Sequence, residues 1–244
     1  MEHCPSDNHC YPEQQRRLVK KLATGFGPGS FCPSIVEMRA DYPGDPERCL
    51  TTLAFVPFQI GHLIHTQCIA PLQIAEPCHY FYPLESLHIT IKNVRAVHHP
   101  PRFTPAEVHR VDRLFQALVP SLSPLVFHLE GVVRFPTSVS LIGYSSAYLK
   151  QVVQILGRGL AEIGVPDDKR YASGSVFFGN VTLCRLVRQP CAGFLQTAYQ
   201  MADTFVANFR VEQISLAICN AACHPATRQI INTYRLCGPD LGPS

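Results

Sequence analysis

The sequence contains no uninterrupted apolar run long enough to span a bilayer. Its most apolar window, LAFVPFQIGHLIHTQCIAPLQIA from Leu53, is broken by Pro57, Gln59, His62, His65 and Gln67, whereas a spanning helix needs about 20 predominantly apolar residues. The opening MEHCPSDNHC is polar, and no apolar stretch of signal-peptide type follows it. A soluble, cytoplasmic protein with no membrane partner is therefore expected. Charge is also scarce, at 16% charged residues and a formal net charge of +3 over 244 residues. That balance tolerates an anionic ligand but lacks the dense basic face of a DNA-binding domain. No glycine-rich, phosphate-cradling loop is present, which removes the usual machinery for activating a nucleotide. Hydrophobic residues make up 46% of the chain, enough for a sizeable core and against extended disorder.

Cysteine is plentiful, at 11 residues, but the number is odd and the residues are scattered through apolar segments. Without a secretory signal this pattern predicts buried thiols rather than a disulfide framework. His3, Cys4, His9 and Cys10 carry zinc-binding atoms, yet they lack the two separated ligand pairs of a structural zinc site. They read as a loose terminal tail. The run CNAACH (219–224) reads as a strand end entering a turn at Pro225. No metal and no cofactor are expected.

Residues 1–48 read as an N-terminal extension and residues 49–244 as a single domain. In the extension, PEQQRRLVKKLATG (12–25) fits a basic amphipathic helix with Leu18, Val19 and Leu22 on one side. Its Arg16, Arg17, Lys20 and Lys21 form a solvated face on a helix docked to the domain. GFGPGSFCPS follows as a loop. In the domain, CLTTLAFVPF is a strand and 61–75 is weakly helical. The segment from Thr104 is a helix with Thr104 as cap, Pro105 at the first position and Glu107 closing a capping box. LVFHLEGVVRFP and SVSLIGYS are strands broken at Pro136. The segment from Ser146 is a helix with Leu149, Val152, Val153, Leu156 and Leu160 inward. GFLQTAYQMADTFVANF reads as a helix, then RVEQISLAICNA and RQIINTYRLC as a closing strand pair.

Two strand-like segments share a shape. SLHITIKNV (86–94) and FFGNVTLCRLV (177–187) are rich in β-branched and apolar residues, and each sets a polar pair two apart on one face. The pairs are His88 with Thr90, and Asn180 with Thr182. Each segment is followed by a helix and then strands, so the chain reads as a weak structural duplication. Strict alternation also puts Lys92 on the His88 face and Arg185 on the face opposite Asn180, where its ordinary role is a surface ion pair.

LHITIK resembles the His-x-Thr motif of the 2H phosphoesterases, a superfamily that includes the 2'-5' RNA ligase and cyclic phosphodiesterase proteins. The resemblance covers residues 49 to about 237. VTLCR resembles the tail that follows the second histidine in that family, Arg185 included, but the histidine itself is Asn180. The resemblance implies an α+β fold of two antiparallel-sheet lobes with outer helices and a central cleft. It implies a monomer acting, without a metal, on a 2',3'-cyclic phosphate or a 2'-5' link in a nucleotide or RNA. His88, Thr90, Asn180 and Thr182 are then the candidate catalytic residues, and Lys92 and Arg185 the candidate substrate-binding ones.

The chemistry sharpens the loss. Opening a cyclic phosphate needs a base for water and an acid for the departing ribose oxygen, and two imidazoles with pKa near ~6.5 suit those roles. Threonine hydroxyls and a cation would offset charge on the non-bridging oxygens. Asparagine holds an oxygen or a water but does not titrate. Reduced or altered catalysis is expected, and the alternative is a nucleotide- or RNA-binding module of the same fold without activity. A third reading is a structural protein whose cleft is filled by its own side chains. Ligation ranks below hydrolysis. His98, His99, His128 and His224 are the histidines that could stand in for the missing one.

Overall fold

The computed structural model describes residues 7–24 and 35–239, with side chains from residue 11 onward. The cluster of His3, Cys4, His9 and Cys10, and the loop read at 25–34, lie outside the described residues and side chains. The described strands form one antiparallel sheet: β1 (Arg48–Phe55), β2 (Tyr80–Phe81), β3 (His88–His98), β4 (Leu125–Phe135), β5 (Ser138–Tyr144), β6 (Gly179–Arg185), β7 (Phe205–Val211), β8 (Gln213–Cys219) and β9 (Gln229–Arg235). The spatial order is β7-β4-β5-β6-β3-β1-β8-β9, with β2 added on β6. The order falls into two halves, β6-β5-β4-β7 and β3-β1-β8-β9, that meet at the register pair Ile89↔Val181. The class is α+β, with two antiparallel lobes as the resemblance implied.

The described helices pack against the sheet. They are α1 (Asp7–Ala23), α2 (Phe58–Ile64), α3 (Ala70–Ala75), α4 (Pro105–Leu118), α5 (Tyr148–Glu162) and α6 (Ala192–Gln200). A wider turn over His65–Ile69 joins α2 to α3 without a break. The sequence signals at α4 are all used. Thr104 Oγ1 accepts from the Glu107 N–H at 3.2 Å, and the Glu107 carboxylate accepts from the Thr104 N–H at 2.8 Å, which satisfies two otherwise orphaned donors. Val111 and Phe115 turn inward from α4, and the predicted stripe of α5 is buried, Leu149 through Leu160. These side chains share one main core with Ile89, Val181, Leu141 and Phe127, each wholly buried.

The N-terminal helix docks on the second lobe. Tyr11, Val19 and Leu22 are buried, and Gln15 donates to the Phe177 carbonyl and accepts from the Ser145 N–H. Arg16 pairs with Glu130 at 2.6 Å and lies 4.5 Å from the centre of the Tyr144 ring. Arg17, Lys20 and Lys21 face solvent.

One reading of the chain is corrected. The segment GFLQTAYQMADTFVANF is not a single helix: α6 ends at Gln200, and a turn carries the chain into β7 from Phe205. From Asn208 to Val211 exposed and buried residues alternate, with Phe209 and Val211 inward, so a period of two prevails over the helical reading there. RVEQIS is likewise split at Glu212: β7 lies at one end of the sheet order and β8 next to the other end, inside β9.

Candidate functional site

The motif strands β3 and β6 are neighbours, and Ile89 pairs with Val181 with both side chains at 0% exposure. Paired residues share a face, and their flanking residues take the other. Extending the antiparallel register by one residue sets His88 beside Thr182 and Thr90 beside Asn180. All four half-buried side chains line one cavity of about 330 Å³ on the face opposite α5, where Leu18 and Leu22 of α1 approach Thr90, Asn180 and Thr182. Gly179 keeps the junction tight, because a Cβ there would lie 2.8 Å from the Phe127 ring and 3.0 Å from Ile89. A larger residue would wedge the strands apart.

Each motif strand carries a bulge just after its threonine. Thr52 and Leu53 of β1 pair with Lys92 and Thr90, which leaves Ile91 as the extra residue. Val139 and Ser140 of β5 pair with Cys184 and Thr182, which leaves Leu183 as the extra residue. A bulge reverses the alternation beyond it. Lys92 therefore leaves the His88 face, is 5% exposed, and forms an ion pair with Asp167 beside Gly157 of α5. The placement of Lys92 with His88 is corrected accordingly, and Asn93 takes its place in the cavity lining. The same reversal brings Arg185 onto the Asn180 face, contrary to strict alternation. Its Nε donates to Tyr82 Oη at 3.2 Å and its Nη2 to the Ala221 carbonyl at 3.0 Å.

The two halves superpose in logic as well as in order. His88, Thr90 and Asn93 correspond to Asn180, Thr182 and Arg185. His88 Nδ1 lies 2.7 Å from the Ser86 carbonyl. A carbonyl only accepts, so Nδ1 carries the hydrogen and Nε2 of the neutral ring is left with its lone pair. The Asn180 amide lies 3.4 Å from Ser140 Oγ and 3.5 Å from Thr182 Oγ1, both at the long limit of a hydrogen bond. It is thus weakly committed to the protein.

Sequence reasoning missed Lys169, Asn93, Tyr82 and Cys223, all of which reach the cleft. Burial, and then the Arg185 charge, hold the Lys169 ammonium below its usual range. Neither Lys169 nor Arg185 has a carboxylate partner within salt-bridge distance among the described residues. Cys223 is buried with φ of +48°, in the left-handed region, and Arg228 Nη1 lies 3.8 Å from its sulfur. A hydrogen bond from Cys219, together with His88 and Arg228, lowers its thiol pKa. The alternative histidines stand elsewhere: His98 bonds the Pro100 carbonyl, His128 stacks on Phe205, and His224 caps the turn at Pro225. His88 is the histidine lining the cavity among the described residues.

No family model matches the chain, and no curated protein does. Solved structures do match. TT0787 of Thermus thermophilus aligns with a TM-score of 0.57 at 16% identity, over 78% of this chain and 98% of that one. E. coli LigT in its apo form gives 0.54 at 14%, over 79% and 99%. A protein described as a phosphoesterase gives 0.53 at 14%, over 78% and 98%. The chain has the 2H phosphoesterase fold. In that fold the quartet of His88, Thr90, Asn180 and Thr182 lies at the junction of the lobes, where the two halves of the duplication meet. Among the described residues no helix is long and apolar enough to cross a membrane.

Proposed function

We propose that the cleft binds the phosphate of a nucleotide or RNA terminus and hydrolyses a 2',3'-cyclic phosphate slowly, with His88 as its one proton-transferring imidazole. The observation that carries this reading is that His88, Thr90, Thr182, Lys169 and Arg185 line one hollow, the two cations without a carboxylate partner within salt-bridge distance among the described residues. A cavity of about 330 Å³ falls at the small end of ligand sites, which run from about 300 to 1,000 Å³. E. coli LigT, similar in fold, has been solved with 3'-AMP, with ATP and with phosphate, in keeping with a phosphate-binding hollow.

In this reading Thr90 and Thr182 donate to the non-bridging oxygens, and Arg185 and Lys169 neutralise their charge. Neutral His88 takes a proton from the attacking water through Nε2. Asn180 holds the opposite side of the phosphoryl group but has no proton to pass to the departing ribose oxygen, so that step falls to water. Losing an acid–base partner costs on the order of 10² to 10⁴ in rate.

The test is single-turnover hydrolysis of a nucleoside 2',3'-cyclic phosphate by wild type and His88→Ala, beside equilibrium binding of the same ligand. Binding with slow, His88-dependent turnover supports the reading. Tight binding without product makes the chain a binding module of the same fold, and no binding by either protein defeats both.

A further inference from the structure

A second cluster of chemically active side chains stands outside the cleft, on the loop between α3 and β2. We propose that Glu76, Cys78 and His79 form a binding site for a divalent transition metal of the zinc class. One ligand atom from each lies within 4.8 Å of the other two. Cys78 Sγ is 3.5 Å from Glu76 Oε1 and 3.9 Å from His79 Nδ1. Bond lengths of about 2.0–2.3 Å in a tetrahedral zinc site put neighbouring ligand atoms about 3.6 Å apart. The cluster is therefore assembled to within a small side-chain rotation.

The His79 ring, which faces this cluster, is under-satisfied where it stands. His79 is fully buried in its side chain, and its Nε2 has no hydrogen-bond partner. It lies 3.4 Å from Glu76 Oε2, close but misaligned. Buried polar atoms are almost always satisfied. With Nδ1 on a metal, the ring proton is confined to Nε2, where the Glu76 carboxylate orients it; carboxylate–histidine–metal arrangements work this way. Nδ1 would give up only a long contact from the Val187 N–H, at 3.4 Å.

Cys191 caps α6 and donates its N–H to Glu76 Oε2 at 2.8 Å. Its thiol, or a water, would complete the coordination.

One cation already serves the carboxylate. Arg188 Nη2 and Nε lie 3.0 and 3.2 Å from Glu76 Oε1. Its side chain is 65% exposed, so an arriving metal would displace it into water without burying or stranding a charge. Arg188 and the metal thus compete for one oxygen, a relation that a purely structural ion pair would not have.

The experiment uses the full chain, stripped with a chelator and titrated with Co²⁺, then Zn²⁺. The expected result is one thiolate-to-cobalt charge-transfer absorption that Zn²⁺ abolishes, that is missing in Cys78→Ser, and that appears at several-fold lower Co²⁺ in Arg188→Ala. Cys78 is exposed, so the serine variant should fold, and circular dichroism checks that it does. No absorption in wild type, or an undiminished one in Cys78→Ser, overturns the proposal; the latter would place the metal on other cysteines. Weaker binding by Arg188→Ala overturns the competition.

Discussion

Ile89 and Val181 pair at the seam between the two halves of the sheet, and everything about the cleft follows from which way their neighbours point. Both side chains go into the core, so His88, Thr90, Asn180 and Thr182 are turned together onto the opposite face. The symmetry of the two strands makes Asn180 the structural counterpart of His88. One half of the duplication carries an imidazole and the other an amide, within an otherwise repeated backbone that includes the bulge after each threonine.

Asn180→His should therefore place a second titratable group across the same hollow. Hydrolysis of a nucleoside 2',3'-cyclic phosphate is expected to rise by roughly 10²- to 10⁴-fold, the usual worth of a positioned acid or base. The pH–rate profile should change from a single inflection to a bell. Steady-state kinetics across pH 5–9 measure both, and an unchanged rate in a folded variant would remove Asn180 from the reacting side of the cleft.

The motif strands were legible because a period of two and a polar pair survive in one sequence, and the capping box of α4 was legible because it is wholly local. The bulges were not. An extra residue at Ile91 or Leu183 leaves no local signal in the apolar run, yet it turns Lys92 out of the cleft and Arg185 into it. The one trace is a shared spacing: Thr90 to Asn93 and Thr182 to Arg185 are both three residues. Lys169 was invisible for a different reason. It lies on the loop between α5 and β6, outside either motif, and only the tertiary fold brings it to the cleft. The strand β7 was missed because a helical and an alternating apolar pattern overlap across residues 192–211.

The Lys92–Asp167 pair predicts a separation of stability from binding. Lys92 is 5% exposed and also lies 4.9 Å from the centre of the Tyr171 ring. Asp167→Ala strands a buried ammonium and should cost about 3–5 kcal/mol, whereas Lys92→Met removes the charge with its partner left near solvent and should cost less. Urea denaturation measures both. Phosphate affinity should be unchanged in Lys92→Met, and a tenfold loss would return Lys92 to the site.

Acid stability should depend in part on Glu107. Burial alone would raise its carboxyl pKa, but hydrogen bonds from the Thr104 N–H and the Arg95 guanidinium outweigh it and hold the pKa below the usual range. A depressed carboxyl stabilises the fold above its unfolded value of about 4.3, and the gain is lost as pH falls below that. Glu107→Gln should flatten the decline of stability on the acid side of pH 4.3, and Thr104→Ala should cost about 1 kcal/mol at neutral pH through the lost cap. Thermal unfolding followed from pH 7 to pH 3 distinguishes the two variants.

Arg185 is the cation whose removal should be felt most in the cleft. Its guanidinium is held by Tyr82 Oη and the Ala221 carbonyl, so two donors are committed to orientation and the rest of the planar fork is left for an anion. A hydrogen bond to a charged partner is worth about 1.5–3 kcal/mol, which corresponds to a loss of roughly 10- to 100-fold in phosphate or cyclic-nucleotide affinity for Arg185→Met. Arg185→Lys should recover little, because an ammonium cannot reach both anchors and an anion at once. Tyr82→Phe should weaken binding less than Arg185→Met does, since it loosens the fork without removing charge. Isothermal titration of the three variants gives the ranking. Wild-type affinity in Arg185→Met would mean that the anion does not meet β6, and the shared hollow between the two motif strands would lose its role.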